Sequence, residues 1–309
     1  FYLLVNVASY TICTVNDKKT VSGGSLSGNE FTFFVSAATA FFMLICSPFL
    51  GLSAALCPQT FGICSLLVLD KLGEFYMAAV SLSVLSAFEV KAWLGLALFL
   101  SYASDCLFFG EGVSAAKLAC LPIACLGLML IASGDSADST VDKSEKRRSL
   151  IKILPALVLY IISKYAYGLI MRMGEPYLTK NTGLFISMIA LTLIMGVVIF
   201  PKKRKSKGDY DSEKLLKRLY LSRERACDCD YDRYKKMLGI VFITRLPNIA
   251  GLLAENVLIG MSLTLYSFVQ PLILVTLFFI SVIKRERFTR KNLIGSILCI
   301  ASIFAFEII

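Results

Sequence analysis

Histidine is absent from all 309 residues. That excludes His-based triads, histidine metal sites and histidine proton relays. Charge is the second shortage: Asp, Glu, Lys and Arg make up 17% of the chain, against about 25% in an average soluble domain. A GxxxxGK[ST] phosphate loop is missing, and the loops are too short for a nucleotide-binding domain, so ATP-driven transport is not expected. HExxH is missing as well. Paired cysteine spacings are also lacking. Cys13, Cys46, Cys64, Cys106, Cys120, Cys125 and Cys299 fall in apolar runs, where cysteine behaves as a small hydrophobe. Cys227 and Cys229 (CDCD) offer two thiols without a second pair, which favours a plain loop over a metal site. No metal and no cofactor are expected.

Apolar sequence is abundant: 57% of residues are hydrophobic and mean hydropathy is +0.72. About 20 apolar residues cross a bilayer core as a helix. On that measure the chain is expected to be an all-α integral membrane protein with ten transmembrane helices. The candidate spans are 1–15, 31–50, 61–81, 84–107, 114–133, 150–171, 182–200, 237–256, 259–283 and 292–309. The first segment is short and opens at Phe1 without a methionine, as expected if residues before it have been lost. Between the spans lie a polar stretch at 16–30, a connecting loop at 134–149 and a long basic loop at 201–236. Within the last, SEKLLKRLYLSRER has the pattern of an amphipathic helix lying on headgroups, with a solvated loop as the alternative.

Lys and Arg concentrate in 16–30, 134–149, 201–236 and 284–291, which ten spans place on one side of the membrane. The positive-inside rule makes that side cytoplasmic and puts both termini outside. The net charge of +10 then belongs to topology and to contact with anionic membrane lipids; no basic domain is available for nucleic acid.

One unit occurs twice. FFGEGVS precedes the run LACLPIACLGLMLIA, and VIKRERFT precedes LIGSILCIASIFAF. Each has a glutamate (Glu111, Glu286) and a hydroxyl residue three positions on (Ser114, Thr289) between two apolar helices. Residues 1–133 and 150–309 are thereby expected to be two five-helix repeats. Pseudo-symmetric halves that rock about a central site are a transporter architecture. Glu111 and Glu286 lie at helix starts, where they are expected to stabilise helix ends. Gly95, Gly110, Gly127, Gly251, Gly260 and Gly295 are expected to let helices approach closely.

Charges inside apolar runs are costly and face a partner or a wet cavity. Asp70, Lys71 and Glu74 fall in the third segment, with Asp70 and Glu74 on one face. Lys164 lies in the sixth. Arg245 and Asn248 flank Pro247 in the eighth, and Tyr266, Gln270 and Pro271 lie in the ninth. Shifting Asp70 by the 175 residues that separate the glutamates gives Arg245, so an acid facing a base across the central axis is expected to form a clamp or gate. The alternative is an internal ion-paired knot of Asp70, Lys71 and Glu74 that locks helices together. Glu89, Asp105 and Glu255 lie near span ends and are expected to snorkel to water.

The two glutamate units, their spacing and the five-plus-five layout resemble the drug/metabolite transporter superfamily, in particular its EamA-type members. The second half carries the closer likeness, with Pro271, Glu286 and Gly295 in order; the first keeps FFGE and Gly127 but has Leu96 where a proline would match. The resemblance implies two inverted five-helix repeats around a cavity lined by the first, third and fourth helices of each half. Asp70, Lys71, Lys164, Arg245 and Gln270 lie on such helices. Related transporters are drawn with cytoplasmic termini, opposite to the charge rule, and both orientations stand.

The expected function is secondary transport of a small polar or charged metabolite by alternating access. The bases Lys164 and Arg245 favour an anionic or zwitterionic substrate. Alternatives are a flippase for a lipid-linked substrate, a membrane scaffold or sensor using 201–236, and an intramembrane enzyme, which the absent motifs disfavour. Unpaired cysteines and compact loops favour a bacterial inner membrane, and a monomer is the simplest state.

Overall fold

A computed structural model describes residues 1–22, 28–85, 87–135, 143–199, 229–283 and 290–309. The described chain is helical. In order come α1 (Tyr2–Ser22), α2 (Gly28–Cys46) with a 3-10 turn at Ser47–Phe49, α3 (Pro58–Val84), α4 (Ala87–Leu94), α5 (Ala97–Phe108) and α6 (Ala115–Asp135). There follow α7 (Lys143–Met173), α8 (Lys180–Ile199), α9 (Cys229–Met261), α10 (Leu263–Ser267), α11 (Val269–Ile283) and α12 (Arg290–Ile308). The only β pairing among the described residues is one isolated bridge, Ala54 with Leu178.

Among the described residues, six helical stretches are long and apolar enough to cross a membrane: Asn29–Phe49, Glu89–Phe108, Ile153–Met173, Lys180–Ile199, Leu238–Met261 and Leu263–Ile280. The outward surface agrees. Leu193, Val197, Ile243 and Phe304 are each at least 65% exposed, while Lys71, Asp105 and Glu255 are at most 1% exposed. Water would favour the reverse; lipid favours this arrangement, because hydrocarbon solvates apolar side chains and charges must find partners inside. The chain is a multi-pass helical membrane protein. The other long helices, α1, α3, α6 and α12, have 19 to 27 residues and pack in the same bundle.

The expected boundaries shift in informative ways. The polar stretch NDKKTVS continues α1 to Ser22, so much of 16–30 is helix. The connector between halves shortens, because α6 reaches Asp135 and α7 starts at Lys143. The segment 84–107 is interrupted between α4 and α5. There the amide of Gly95 lies 3.2 Å from the Lys91 carbonyl and 3.1 Å from that of Ala92, and Leu96, Leu98 and Phe99 bond three residues back. This tightened turn sits where α6 crosses: a Cβ on Gly95 would meet Leu128 Cδ1 at 2.0 Å. The segment 259–283 breaks likewise, after Met261 and at Phe268. The loop 201–236 is described only from residue 229 on, as the start of α9, and the proposed amphipathic helix lies outside the described residues, as do Glu286 and Thr289.

Helix pairing crosses between the halves of the chain. α1 packs on α9, α3 on α7, α2 on α8, and α6 on α12. The α6–α12 contact is antiparallel, with Ala124 and Ile131 of α6 against Cys299 and Gly295 of α12. Gly127 and Gly295 make it close: a Cβ on either would fall 2.7 Å or less from the other's carbonyl oxygen. Gly110 serves differently. Its φ of +73° and the open space around it mark a turn residue, not a packing one.

Candidate functional site

Three helices deliver the central charged cluster. On α3, Lys71 and Glu74 are three apart and so share a face, with Lys71 Nζ 2.5 Å from Glu74 Oε2. From α7, Lys164 Nζ reaches Glu74 Oε1 at 3.2 Å and Glu255 Oε1, on α9, at 2.8 Å. The side chains of this quartet are all 8% exposed or less, so the two ammonium groups and two carboxylates balance each other without help from water. Aromatic rings complete the enclosure. Lys71 Nζ sits 3.3 Å from the centroid of Tyr167, and Lys164 Nζ lies 5.4 Å from Tyr266 and 5.6 Å from Tyr10. The Tyr266 hydroxyl on α10 donates to the Lys164 carbonyl at 2.9 Å, and Gly168 on α7 leaves room for that ring. One oxygen is left over: Glu255 Oε2 is buried without a hydrogen-bond partner among the described residues.

A second station closes one end of the bundle. Asp105, near the end of α5, is fully buried. It pairs with Arg172 of α7 and accepts from Ser262 Oγ, Thr264 Oγ1 and the amides of Leu263 and Thr264, which open α10. A carboxylate at a helix start satisfies its free N–H groups and interacts favourably with its dipole. Phe109 covers Arg172, with its centroid 3.9 Å from the guanidinium carbon. The loop after α2 and the turn after α7 form a seam at this end. Thr179 N–H donates to the Ser53 carbonyl at 2.9 Å, Ser53 N–H to Thr182 Oγ1 at 2.8 Å, and Asn181 Nδ2 to the Leu50 carbonyl at 2.9 Å. Tyr167 joins seam and cluster through Asn256, which donates to Asn181.

The third station lies toward the basic loops. Arg245 of α9 pairs with Asp17 of α1, and Arg245 Nε is buried without an acceptor among the described residues. Lys91 of α4 donates to Gln270 Oε1 of α11 at 2.9 Å.

The expected Asp70–Arg245 clamp is not formed. Asp70 accepts from Ser163 Oγ of α7 at 2.9 Å, and Arg245 holds Asp17. The physical reason is in the pairing: α3 packs on α7 and α9 on α1, so residues at matching places in the two halves face different partners. Asp105 and Glu255 do not snorkel to water; both are buried and ion-paired. Lys71, Glu74, Lys164 and Tyr266 are brought together in the central cluster. Gln270 meets Lys91, and Asn248 is buried on α9. Pro271 sits in the first turn of α11, where a missing N–H costs nothing. Glu111 does not cap α6. Ser114 does, accepting from the Lys117 amide at 3.4 Å and held by Tyr102. Glu111 instead lies by the second station, where burial first, and then the Asp105 charge, raise its pKa above the ordinary value of 4.5.

An apolar groove of about 490 Å³ between α2 and α9, lined by Phe34, Leu238, Gly239, Val241, Phe242 and Ile243, shares no lining residue with these stations, and no charged side chain is among its described lining residues.

Sequence reasoning missed Asp17, Lys91 and Arg172 as site members. The signal for Asp17 was available: a buried arginine needs a carboxylate, and Asp17 is one of few near an apolar run.

No family model matches the chain, and no curated protein matches it. Among solved structures, 28 chains match, so the arrangement of helices recurs in known proteins. One of them, described only as a crystal structure of a protein, is 14% identical over 99% of this chain and 95% of that one, with a TM-score of 0.63. At that identity the likeness shows the fold alone.

Proposed function

We propose that this protein is a secondary transporter of the drug/metabolite type, moving a small polar or charged metabolite by alternating access. The reading takes the chain as ten spans in two inverted five-helix halves. The reciprocal pairing of α1 with α9 and α3 with α7 supports it, as do the interrupted fourth helix of each half and the antiparallel α6–α12 contact.

The observation that carries the function is the buried quartet Lys71, Glu74, Lys164 and Glu255, drawn from helices of both halves. A buried ion pair contributes little net stability, so its retention at membrane depth needs another reason. A transporter supplies one. A bound solute replaces one carboxylate on Lys164, and the released side chain loosens α9 from α3 and α7. The proposed clamp is thus Lys164 with Glu74 and Glu255, in place of Asp70 with Arg245. The described lining of the apolar groove between α2 and α9 includes no charged side chain to hold a headgroup, so lipid flipping draws no support from it.

The test is flux into proteoliposomes containing the purified protein, screened against labelled organic acids, amino acids, sugars and nucleotides. Saturable uptake of one class, reduced at least tenfold by Lys164→Ala at equal protein, is the expected result. Uptake unaltered by that substitution removes the quartet from the mechanism.

A further inference from the structure

Asp70 is an acid at membrane depth to which the quartet gives no task. Glu74 and Glu255 hold lysines, Asp105 holds Arg172, and Asp17 holds Arg245. Asp70 forms no ion pair among the described residues. Its carboxyl meets Ser163 of α7, and its Oδ2 is buried without a hydrogen-bond partner among the described residues. Leu67, Asp70, Lys71 and Glu74 share one face of α3, at the spacing i, i+3, i+4, i+7. Leu67 meets Gly183, beside the seam residue Thr182, and Glu74 belongs to the quartet. Asp70 therefore stands one turn from the quartet, on the seam side. It also borders the outer surface, since Leu66 and Leu69 are 54% and 65% exposed. An ionised carboxylate in this place would be costly, with no cation to match it and lipid nearby.

The hydrogens available at Ser163 point the same way. Ser163 Oγ lies 2.9 Å from Asp70 Oδ1 and 3.0 Å from the Asp70 carbonyl oxygen. Gly73 makes room for this approach: a Cβ there would lie 3.2 Å from Ser163 Oγ. A serine hydroxyl has one hydrogen and two lone pairs. Beside an ionised Asp70, that single hydrogen is divided between two acceptors. A protonated carboxyl supplies the second: Oδ1–H donates to Ser163 Oγ, and the Ser163 O–H donates to the backbone carbonyl. Both contacts are then complete hydrogen bonds. The bare Oδ2 becomes part of a neutral group, which is far cheaper to bury than a charge.

We infer that Asp70 carries a proton in the packed bundle and releases it when the seam opens, which makes it the site that couples proton movement to transport. The inference rests on the transport reading and adds the driving ion to it. In the release step the Oδ1–H bond breaks and the proton passes to entering water. The carboxylate left behind accepts from Ser163 and from water. A group whose proton affinity differs between two conformations biases the equilibrium between them, so a proton gradient can drive the cycle. The charges acting on Asp70 are Glu74 and Lys71 of α3 and Lys164 of α7. Tyr167 of α7 and Tyr10 of α1 lie against those lysines. Among the described side chains, Arg172 of α7 is held by Asp105 and Asp17 of α1 by Arg245. On the other helices packed against α3, α4 carries Glu89 and Lys91, and Glu30 of α2 and Lys180 of α8 stand in the first turns.

The test reads the proton directly. Infrared spectra of the full chain in lipid discs, wild type minus Asp70→Asn at neutral pH, should show the carbonyl stretch of a protonated carboxyl. Asparagine is neutral and keeps an N–H for Ser163 Oγ, so a melting temperature at or above the wild-type value checks that the variant folds. Ser163→Ala removes the acceptor and should shift that stretch. In proteoliposomes with trapped pyranine, the solute found in the flux screen should enter at least tenfold faster under an imposed pH gradient than without one. Asp70→Asn should abolish that acceleration. A difference spectrum without the protonated-carboxyl stretch overturns the inference. The stretch without acceleration by the gradient overturns the coupling and leaves the transport reading intact. The stretch without saturable uptake of any solute overturns the transport reading and leaves the proton on Asp70.

Discussion

Replacing Lys164 with methionine gives the sharpest energetic test of the central cluster. Methionine fills most of the same volume and removes only the charge. In the native arrangement Lys164 Nζ lies 3.2 Å from Glu74 Oε1 and 2.8 Å from Glu255 Oε1, and both carboxylates are at most 8% exposed. Glu74 keeps Lys71 as a partner after the change. Glu255 keeps nothing charged, and its second oxygen already lacks a hydrogen bond among the described residues. Stranding one buried charge in this way costs about 3–5 kcal/mol. Adding Glu255→Gln removes that stranded charge, so the double variant should recover at least half of the loss. The coupling between the two positions is then about 2–3 kcal/mol. Equilibrium unfolding of the purified protein, in mixed micelles of increasing denaturing detergent, measures all four corners of the cycle. Additive effects, or a single variant as stable as wild type, would refute the claim that Lys164 and Glu255 neutralise each other in the folded bundle.

Asp105→Ala should cost about 3–5 kcal/mol by stranding Arg172 and uncapping α10, more than Asp17→Ala, which strands Arg245 but uncaps no helix; melting temperatures rank the two. Gly127→Leu should lower the melting temperature sharply, because its Cβ would fall 2.7 Å from the Gly295 carbonyl oxygen, whereas leucine at Gly112, which has open space, should have little effect. Glu111 supplies the pH test. Its raised pKa means that the fold favours the neutral carboxyl, so its stabilising contribution is complete below about pH 4.5 and is lost as pH rises through the higher folded value. Glu111→Gln should flatten that part of the stability profile and make the protein more stable at neutral pH; an unchanged profile would show that Glu111 does not titrate there.

Sequence alone reveals the helices and the identity of the buried charges, because both are local signals. An apolar run of about 20 residues is read without its neighbours, and Lys71, Glu74 and Lys164 stand out against such runs. Their partners are a different matter. Lys164 and Glu255 are 91 residues apart, and Asp17 and Arg245 are 228 apart, so only the packing of α7 on α3 and of α1 on α9 brings them together. The fixed offset between the two glutamate units paired Asp70 with Arg245 because it compared positions within halves, while the helices carrying these two residues, α3 and α9, pack on α7 and α1. Asp17 was lost in a polar stretch that reads as loop; its ion pair with Arg245 belongs to the continuation of α1. Asp105 and Glu255 read as span-end acids because no sequence rule shows that the Ser53–Thr182 seam and the start of α10 cover that end. Lys91 was visible as a charge, but its hydrogen bond to Gln270, 179 residues away, is a property of the assembled bundle.

Alternating access is the central claim, and one distance tests it without knowledge of the substrate. Spin labels on unnatural amino acids at Leu56 and Tyr177, which flank the seam between the loop after α2 and the turn after α7, avoid the ten native cysteines. Pulsed dipolar spectroscopy of the protein in lipid discs should give two distances, one for the closed seam and a longer one. The longer population should grow when Asp105→Asn weakens the Arg172 and α10 contacts. A single narrow distance that this substitution leaves unchanged would contradict a bundle that opens at both ends.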